Sequence, residues 1–146
     1  MRYVAHDTIA VLDWPVDAYT SRWVERDEDL AAYDPRIRQV LCPLIPVGGV
    51  VVDGGAFIGD HTVAYAEAVG PTGQVWAFEV SPQALECLRF NTQHRPQVRV
   101  VTAALADREC QVTLALGLPN AGTTRVGRGG PTGFPAVPLD RFTFDR

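Results

Sequence analysis

The sequence predicts an α/β domain whose sheet is doubly wound and mostly parallel. Three observations indicate this fold: an apolar run at residues 50–52, a glycine-rich loop directly after it, and an order of elements that reads βαβαβ. Parallel strands need crossover helices, so this order favours right-handed connections within one sheet. With 146 residues and 47 % hydrophobic content, the chain fits one domain, residues 1–146.

Residues 1–47 are predicted to form strands and helices that precede the core at residues 48–140. One or two short strands are expected within residues 3–12, where β-branched and apolar residues come in short bursts. Two helices are expected within residues 20–45, the second opened by Pro35. They would cover one face of the core with apolar residues that recur at helical spacing: Trp23, Leu30, Ile37, Val40, Leu41 and Leu44.

A helix is predicted at residues 60–69, directly after the glycine loop. Val63, Ala66 and Val69 share one face of this helix, and Gly70 followed by proline ends it. Strand, glycine loop and helix therefore occur in that order.

The rest of the core is predicted to contain strands at residues 74–80, 98–101 and 111–116, and a helix from residue 82 to about residue 93. Ser81 is expected to cap this helix, with Leu85, Leu88 and Thr92 facing the sheet. The last strand is expected to be antiparallel and to lie on a hairpin. Residues 117–138 are rich in glycine and proline, so long regular structure is not expected there.

Composition and charge exclude several classes of function. The net charge is −4 and no run of basic residues could track phosphates, so no nucleic-acid partner is expected. No apolar stretch approaches the length of a membrane span, so no membrane partner is expected. Cys42, Cys87 and Cys110 are odd in number and widely spaced, which favours a reducing, cytoplasmic location. His6 and His94 lack neighbours at ligand spacing, so no metal site is predicted.

The glycine loop and two acidic residues carry the functional signal. Gly55 and Gly59 lie where backbone N–H groups point outward and a missing Cβ lets a ligand approach closely. Gly54 and Gly55 are adjacent, which departs from the Gly-x-Gly-x-x-Gly pattern of dinucleotide sites. Asp53 ends the strand, and its carboxylate favours the ammonium and sulfonium of S-adenosylmethionine over phosphates. Glu79, twenty positions after Gly59, is expected to accept both ribose hydroxyls.

Each of these features also has a structural interpretation. An Asp at a strand end is often a helix cap, and Glu79 beside Ser-Pro could simply be solvated. His61 is either a capping residue or a base within reach of a ligand. An NAD-binding fragment is the alternative ligand class. The three tryptophans are assigned to packing rather than catalysis: Trp14, Trp23 and Trp76.

Residues 51–62 read Val-Val-Asp-Gly-Gly-Ala-Phe-Ile-Gly-Asp-His-Thr, which resembles the first motif of the FkbM-like methyltransferases. The resemblance continues at residues 64–66, 69–79, 87–91 and 104–107, and at residues 137–140. It implies the Rossmann-like class I methyltransferase fold, S-adenosylmethionine as cofactor and O-methylation of a small-molecule or sugar hydroxyl. The cofactor-binding residues that it implies or that the loop suggests are Asp53, Gly54, Gly55, Ala56, Phe57, Gly59, His61, Thr62, Glu79, Val80, Ser81 and Ala104. No catalytic base is identified.

The sequence departs from the family pattern in two ways. Phe57 and Val80 stand where the family more often has Asn and Pro, and Asn120 and Gly122 look like its loop asparagine and glycine. The family also continues after Asp140 into a core strand with an acidic Lys-x-Asp-x-Glu-Gly segment, which this sequence lacks, so a C-terminally truncated fold is expected. The first core strand would then be a sheet edge, open to a second copy or a partner chain. A non-catalytic module that acts in assembly is therefore the alternative function.

Overall fold

The computed structural model describes residues 3–6, 9–12, 35–115, 125–128 and 133–144. The first predicted helix, Trp14 and Trp23, and also Asn120 and Gly122, lie outside these residues. The α-helices described are α1 (Pro35–Leu41), α2 (Asp60–Val69) and α3 (Pro82–Thr92). The strands described are β1 (Tyr3–His6), β2 (Ile9–Leu12), β3 (Val50–Gly54), β4 (Gln74–Phe78), β5 (Val98–Val101), β6 (Ala104–Leu105), β7 (Cys110–Ala115), β8 (Arg125–Arg128) and β9 (Phe134–Val137).

Strands β3, β4 and β5 form a parallel sheet in that order, which confirms the predicted α/β fold class. Helix α2 connects β3 to β4, and α3 connects β4 to β5. The two helices contact each other, so they lie on the same face of the sheet. This arrangement is one half of a doubly wound sheet.

The helical face of this sheet is closed by small and branched side chains. Val75 of β4 packs against Ala66 and Val69 of α2, and all three are buried. Leu85 and Leu88 of α3 pack in a second cluster with alanines of the loop and of β4. The bounds of α2 and its predicted buried face are thereby confirmed.

The opposite face of the sheet is covered by aromatic side chains from the end of the described chain. Trp76 alternates with the helix-facing residues of β4, and its ring lies 5.6 Å from Phe142 and 5.4 Å from Phe144. Phe78 also contacts Phe142, with ring centroids 5.2 Å apart. Trp76 therefore has the packing role that the sequence suggested.

A second, mixed sheet of four strands has the order β6-β9-β7-β8. Strand β7 pairs antiparallel with both β8 and β9, which confirms the predicted hairpin strand. The described parts of the glycine-rich segment, residues 125–128 and 133–138, hold two strands of four residues each, so the regular structure seen there is short, as expected. A buried cluster joins this sheet to the end of β4: Val80, Ala104, Val112 and Ala136.

The described N-terminal residues have the predicted strands and the predicted start of a helix, but three apolar side chains are not buried as predicted. Strands β1 and β2 pair antiparallel, and Pro35 begins α1 as expected. Val40 and Leu44 do not cover the core, because their exposed fractions are 61 % and 73 %. Leu44 is exposed because the chain leaves the α-helix for a 3-10 helix at Cys42–Leu44, which breaks the 3.6-residue period behind that prediction. Leu41 is likewise exposed.

Strand β3 has a single hydrogen-bonded neighbour, β4, within the residues that the structure describes. Its outer edge is therefore open there, as the sequence suggested. None of the helices described is long and apolar enough to cross a membrane.

Candidate functional site

The loop between β3 and α2 depends on glycine at two positions. Gly55 and Gly59 have φ angles of 81° and 89°, which residues with a Cβ adopt only at a cost. A Cβ on Gly59 would lie 2.8 Å from Cδ1 of Leu88, whereas one on Gly55 would meet nothing within 4 Å. Gly59 therefore allows α3 to pack against the loop, and Gly55 leaves open space above it.

Hydrogen bonds from both neighbouring elements fix this loop. The backbone N–H groups of Gly55 and Ala56 donate to the carbonyl of Phe78, at 2.9 and 3.0 Å. The buried side-chain amide of Asn91 in α3 donates to the carbonyl of Ile58 at 2.8 Å. The loop is thus held from the strand side and from the helix side before any ligand arrives.

Glu79 lies directly after β4, and its carboxylate accepts three backbone hydrogen bonds. Oε1 accepts from the N–H groups of Val80 and Ser81, both at 2.7 Å, and Oε2 accepts from Phe57 at 2.9 Å. Phe57 has a φ of 49°, which is uncommon outside glycine. A carboxylate has about four acceptor sites, so one remains, on Oε2. One ribose hydroxyl can therefore bind without disturbing the loop.

Asp53 lies at the end of β3 but faces α2. Its Oδ2 accepts a 2.5 Å hydrogen bond from the hydroxyl of Thr62, which is fully buried. Burial raises the pKa of Asp53, while the Thr62 hydrogen bond and nearby His61 lower it.

Nε2 of His61 lies 3.8 Å from Oδ2 of Asp60, and its buried Nδ1 has no hydrogen-bond partner among the described residues.

A cavity of about 390 Å³ lies at the carboxyl ends of β3 and β4, which is within the usual size range of small-molecule sites. The glycine loop and the end of β4 form one part of its wall, and the second sheet forms the other. The lining residues are Gly54, Gly55, Phe57, Phe78, Glu79, Val80, Ser81, Ala103, Ala104, Leu105, Leu114 and Val126.

The cavity brings together seven of the residues proposed from the sequence: Gly54, Gly55, Phe57, Glu79, Val80, Ser81 and Ala104. The other five do not line it: Asp53, Ala56, Gly59, His61 and Thr62. Ala56 is buried in the core beneath the loop, and Asp53 and Thr62 bond each other. Sequence reasoning missed Phe78, Leu114 and Val126. The alternation of apolar residues along β7 was a signal for Leu114, but no local pattern linked either hairpin strand to the loop.

Within the described part of the chain, Glu79 is the only charged side chain that lines the cavity. The cavity therefore suits a neutral or cationic ligand better than a phosphate-bearing one, which normally meets cations or a free helix N-terminus. The remaining acceptor site of Glu79 fits a hydroxyl group, and the apolar walls of the cavity fit a flat ring. These residues fit the nucleoside part of S-adenosylmethionine. Asp53, expected at its charged end, is not on the wall.

Neither a family model nor a curated protein matches the chain. Solved structures that resemble it include an S-adenosylmethionine-dependent methyltransferase from Aquifex aeolicus, with 24 % identity and a TM-score of 0.44 over 57 % of this chain and 46 % of that one. Another is fibrillarin from Aeropyrum pernix with natively bound S-adenosyl-L-methionine, with 18 % identity and a TM-score of 0.44 over 52 % of this chain and 35 % of that one. A precorrin methyltransferase from Geobacter metallireducens has 25 % identity and a TM-score of 0.41, over 46 % and 37 %.

This chain therefore spans less than half the length of the methyltransferases that it resembles. All three TM-scores are below 0.5. The α/β assignment accordingly depends on the strand order and connections of the chain itself.

Proposed function

We propose that this domain binds S-adenosylmethionine in the cavity at the carboxyl ends of β3 and β4 and takes part in methyl transfer. The observation that carries this proposal is the cavity lining, in which a single carboxylate, Glu79, stands between a glycine loop and apolar walls. In parallel α/β sheets, ligands bind in this position relative to the strands. No cationic side chain occurs among the described residues of the lining, which disfavours the pyrophosphate of NAD.

The ligand places its ribose at Glu79, where Oε2 retains an acceptor site. Gly55 would leave room for the amino-acid part of the ligand, because it is exposed and a Cβ built on it meets nothing within 4 Å. The negative charge of Glu79 also favours a cationic sulfonium ligand over an anionic one. Binding and orientation of the ligand are thus the tasks of the described residues.

S-adenosylmethionine supplies an electrophilic methyl group on its sulfonium, so the protein has to align an acceptor rather than activate the donor. The motif at residues 51–62 supports the FkbM-like subfamily, and with it O-methylation of a small-molecule or sugar hydroxyl. A cytoplasmic location belongs to the same proposal, because the three cysteines are free and widely spaced.

The test is a calorimetric titration of the purified chain with S-adenosylhomocysteine, which keeps the nucleoside and amino-acid parts but transfers no methyl group. A parallel titration uses NAD. We expect saturable binding of S-adenosylhomocysteine and much weaker binding of NAD. Absence of binding up to millimolar S-adenosylhomocysteine, or tighter binding of NAD, would contradict the proposal.

A second candidate function is that of an assembly module, which the open edge of β3 favours. The edge is preceded by apolar side chains that are well exposed, with fractions of 73 % at Leu44 and 79 % at Val47. An open edge strand beside apolar surface is a ready site for a second copy or a partner chain. Analytical ultracentrifugation of the chain and of Val52→Lys tests it. A concentration-dependent dimer that the substitution abolishes supports assembly, and a monomer at high concentration opposes self-assembly.

A further inference from the structure

Two apolar side chains of the second sheet form a wall of the cavity. Leu114 of β7 and Val126 of β8 lie directly opposite each other in the antiparallel ladder, and both line the cavity. Val126 is 52 % exposed and Leu105 of β6 is 37 % exposed. Apolar side chains exposed at a cavity are surface that a ligand can remove from water.

Packed side chains fix the position of this wall relative to the rest of the site. Val112 lies two residues before Leu114, so both point to the same face of β7. Val112 is buried in one cluster with Val80 and Ala104, which themselves line the cavity. The hairpin β7–β8 is therefore coupled through packed side chains to the end of β4, where Glu79 is located.

The two sides of the cavity differ in chemistry. On one side of Glu79, the glycine loop lines the cavity with the side chain of Phe57 and with Gly54 and Gly55, which have no side chain. On the other side the lining is apolar: Val80, Ala103, Ala104, Leu105, Leu114 and Val126. The faces of a nucleobase are apolar and match the apolar side, whereas the open space at Gly55 leaves room for the charged amino-acid part.

We propose that the hairpin β7–β8 is the base-contacting wall of the nucleoside site, with Leu114 and Val126 packing on a flat, uncharged base. This inference rests on the proposed function, because it needs a ligand whose ribose lies at Glu79. It assigns a role in ligand specificity to a segment outside the glycine-loop motif. The hairpin discriminates by apolar contact and shape, since neither side chain can form a hydrogen bond.

The experiment compares Val126→Ala with a matched control on the opposite face of the same hairpin, Thr113→Ala. Both substitutions remove two heavy atoms, and Thr113 does not line the cavity. Two probes are titrated into each protein: S-adenosylhomocysteine and 5′-methylthioadenosine, which keeps base and ribose but lacks the amino-acid part. We expect Val126→Ala to weaken both probes by the same factor, about threefold to tenfold for the apolar area lost. Thr113→Ala should leave both affinities unchanged.

Each outcome decides a different point. The unaltered chain could bind S-adenosylhomocysteine while Val126→Ala and Thr113→Ala have equal affinities for both probes. In that case the hairpin is not the base-contacting wall, and the proposed function stands. If Val126→Ala weakens S-adenosylhomocysteine alone, the contact is with the amino-acid part and the assignment of the base is overturned. If the unaltered chain binds neither probe, the proposed function and this inference both fail. Thermal unfolding midpoints of the two variants are measured first, so that a loss of folded protein is not read as a loss of contact.

Discussion

The backbone N–H of Phe57 donates a 2.9 Å hydrogen bond to Oε2 of Glu79, which ties the glycine loop to the end of the neighbouring strand. Together with the bonds from Val80 and Ser81, it gives Glu79 a structural role before any ligand binds. Among the lining residues that the structure describes, this side chain is the only charged one. Loop geometry and ligand recognition are therefore joined in one carboxylate.

Glu79→Gln tests this joint role. The amide keeps the size of the side chain, but its nitrogen cannot accept a hydrogen bond and its charge is lost. We expect the affinity for S-adenosylhomocysteine to fall by about 1.5 to 3 kcal/mol, or about tenfold to 150-fold, measured by calorimetry. The control is Glu67→Gln, an exposed carboxylate 3.6 Å from Arg95 and away from the cavity. Equal affinities for the two variants would remove Glu79 from the binding site.

Asn91 is expected to act as a positioning residue for the loop. Its amide bonds Ile58 in the loop at 2.8 Å, and the amide of Gln97 makes an equivalent 3.0 Å bond to Ala66 in helix α2. Asn91→Leu and Gln97→Met each leave a carbonyl without that donor and should lower the free energy of unfolding by about 1 to 3 kcal/mol. Of the two, Asn91→Leu alone should also weaken S-adenosylhomocysteine, as urea unfolding and calorimetry would show. Equal affinities would mean that Asn91 serves stability alone.

The two glycines of the loop have different roles: Gly59 allows close packing, and Gly55 allows a ligand to approach. Both have a positive φ, so an Ala at either position costs about 1 to 2 kcal/mol of backbone strain. Gly59→Ala also forces its Cβ to within 2.8 Å of Leu88 and should destabilise the fold more than Gly55→Ala. Gly55→Ala adds its Cβ at the cavity and should impair ligand binding more than stability. Urea unfolding and ligand titration of both variants check this expectation. A Gly55→Ala variant that is less stable than Gly59→Ala but binds the ligand better would contradict it.

Several elements could be predicted closely because their signals are local. Helix α2 begins at Asp60 and ends at Val69 as expected, since a glycine borders it on each side and its apolar residues keep a helical period. Strand β5 also has the predicted bounds, Val98–Val101, because a short run rich in valine is a local signal for a strand. The exposed Leu44 shows where such reasoning fails, because a helical period does not reveal that the chain changes to a 3-10 helix at Cys42.

The site was only partly predictable from the sequence. The glycine loop and Glu79 were recognisable because their spacing follows from one strand-loop-helix-strand unit. The wall formed by Leu114 and Val126 was not, since it depends on how a second sheet packs against the first. The direction of the Asp53 side chain, toward Thr62, also depends on packing that a sequence pattern does not contain.

Asp53 should make stability depend on pH. Burial raises the pKa of Asp53 in the folded protein above its ordinary value of 3.8, so the folded state holds this proton more tightly than the unfolded state does. The destabilising effect of the Asp53 charge on the folded state is therefore absent below pH 3.8, and it grows as the pH rises through the folded pKa. Asp53→Asn should raise the free energy of unfolding at pH 7 but change it little near pH 4.

Urea unfolding at both pH values checks this expectation, with Asp140→Asn at an exposed position as the control. An Asp53→Asn variant that is less stable than the unaltered chain at pH 7 would show that the charged form, bonded to Thr62, is the favoured one.

The most direct test of the proposed site is a titration of ¹⁵N-labelled protein with S-adenosylhomocysteine, followed by two-dimensional NMR. We expect the amide signals of Phe57, Val80 and Ser81 to shift together, because all three donate to Glu79. Signals from buried positions of α2 such as Ala66 should remain in place. Shifts confined to residues outside the cavity, or none at millimolar ligand, would contradict a nucleoside site at the carboxyl ends of β3 and β4.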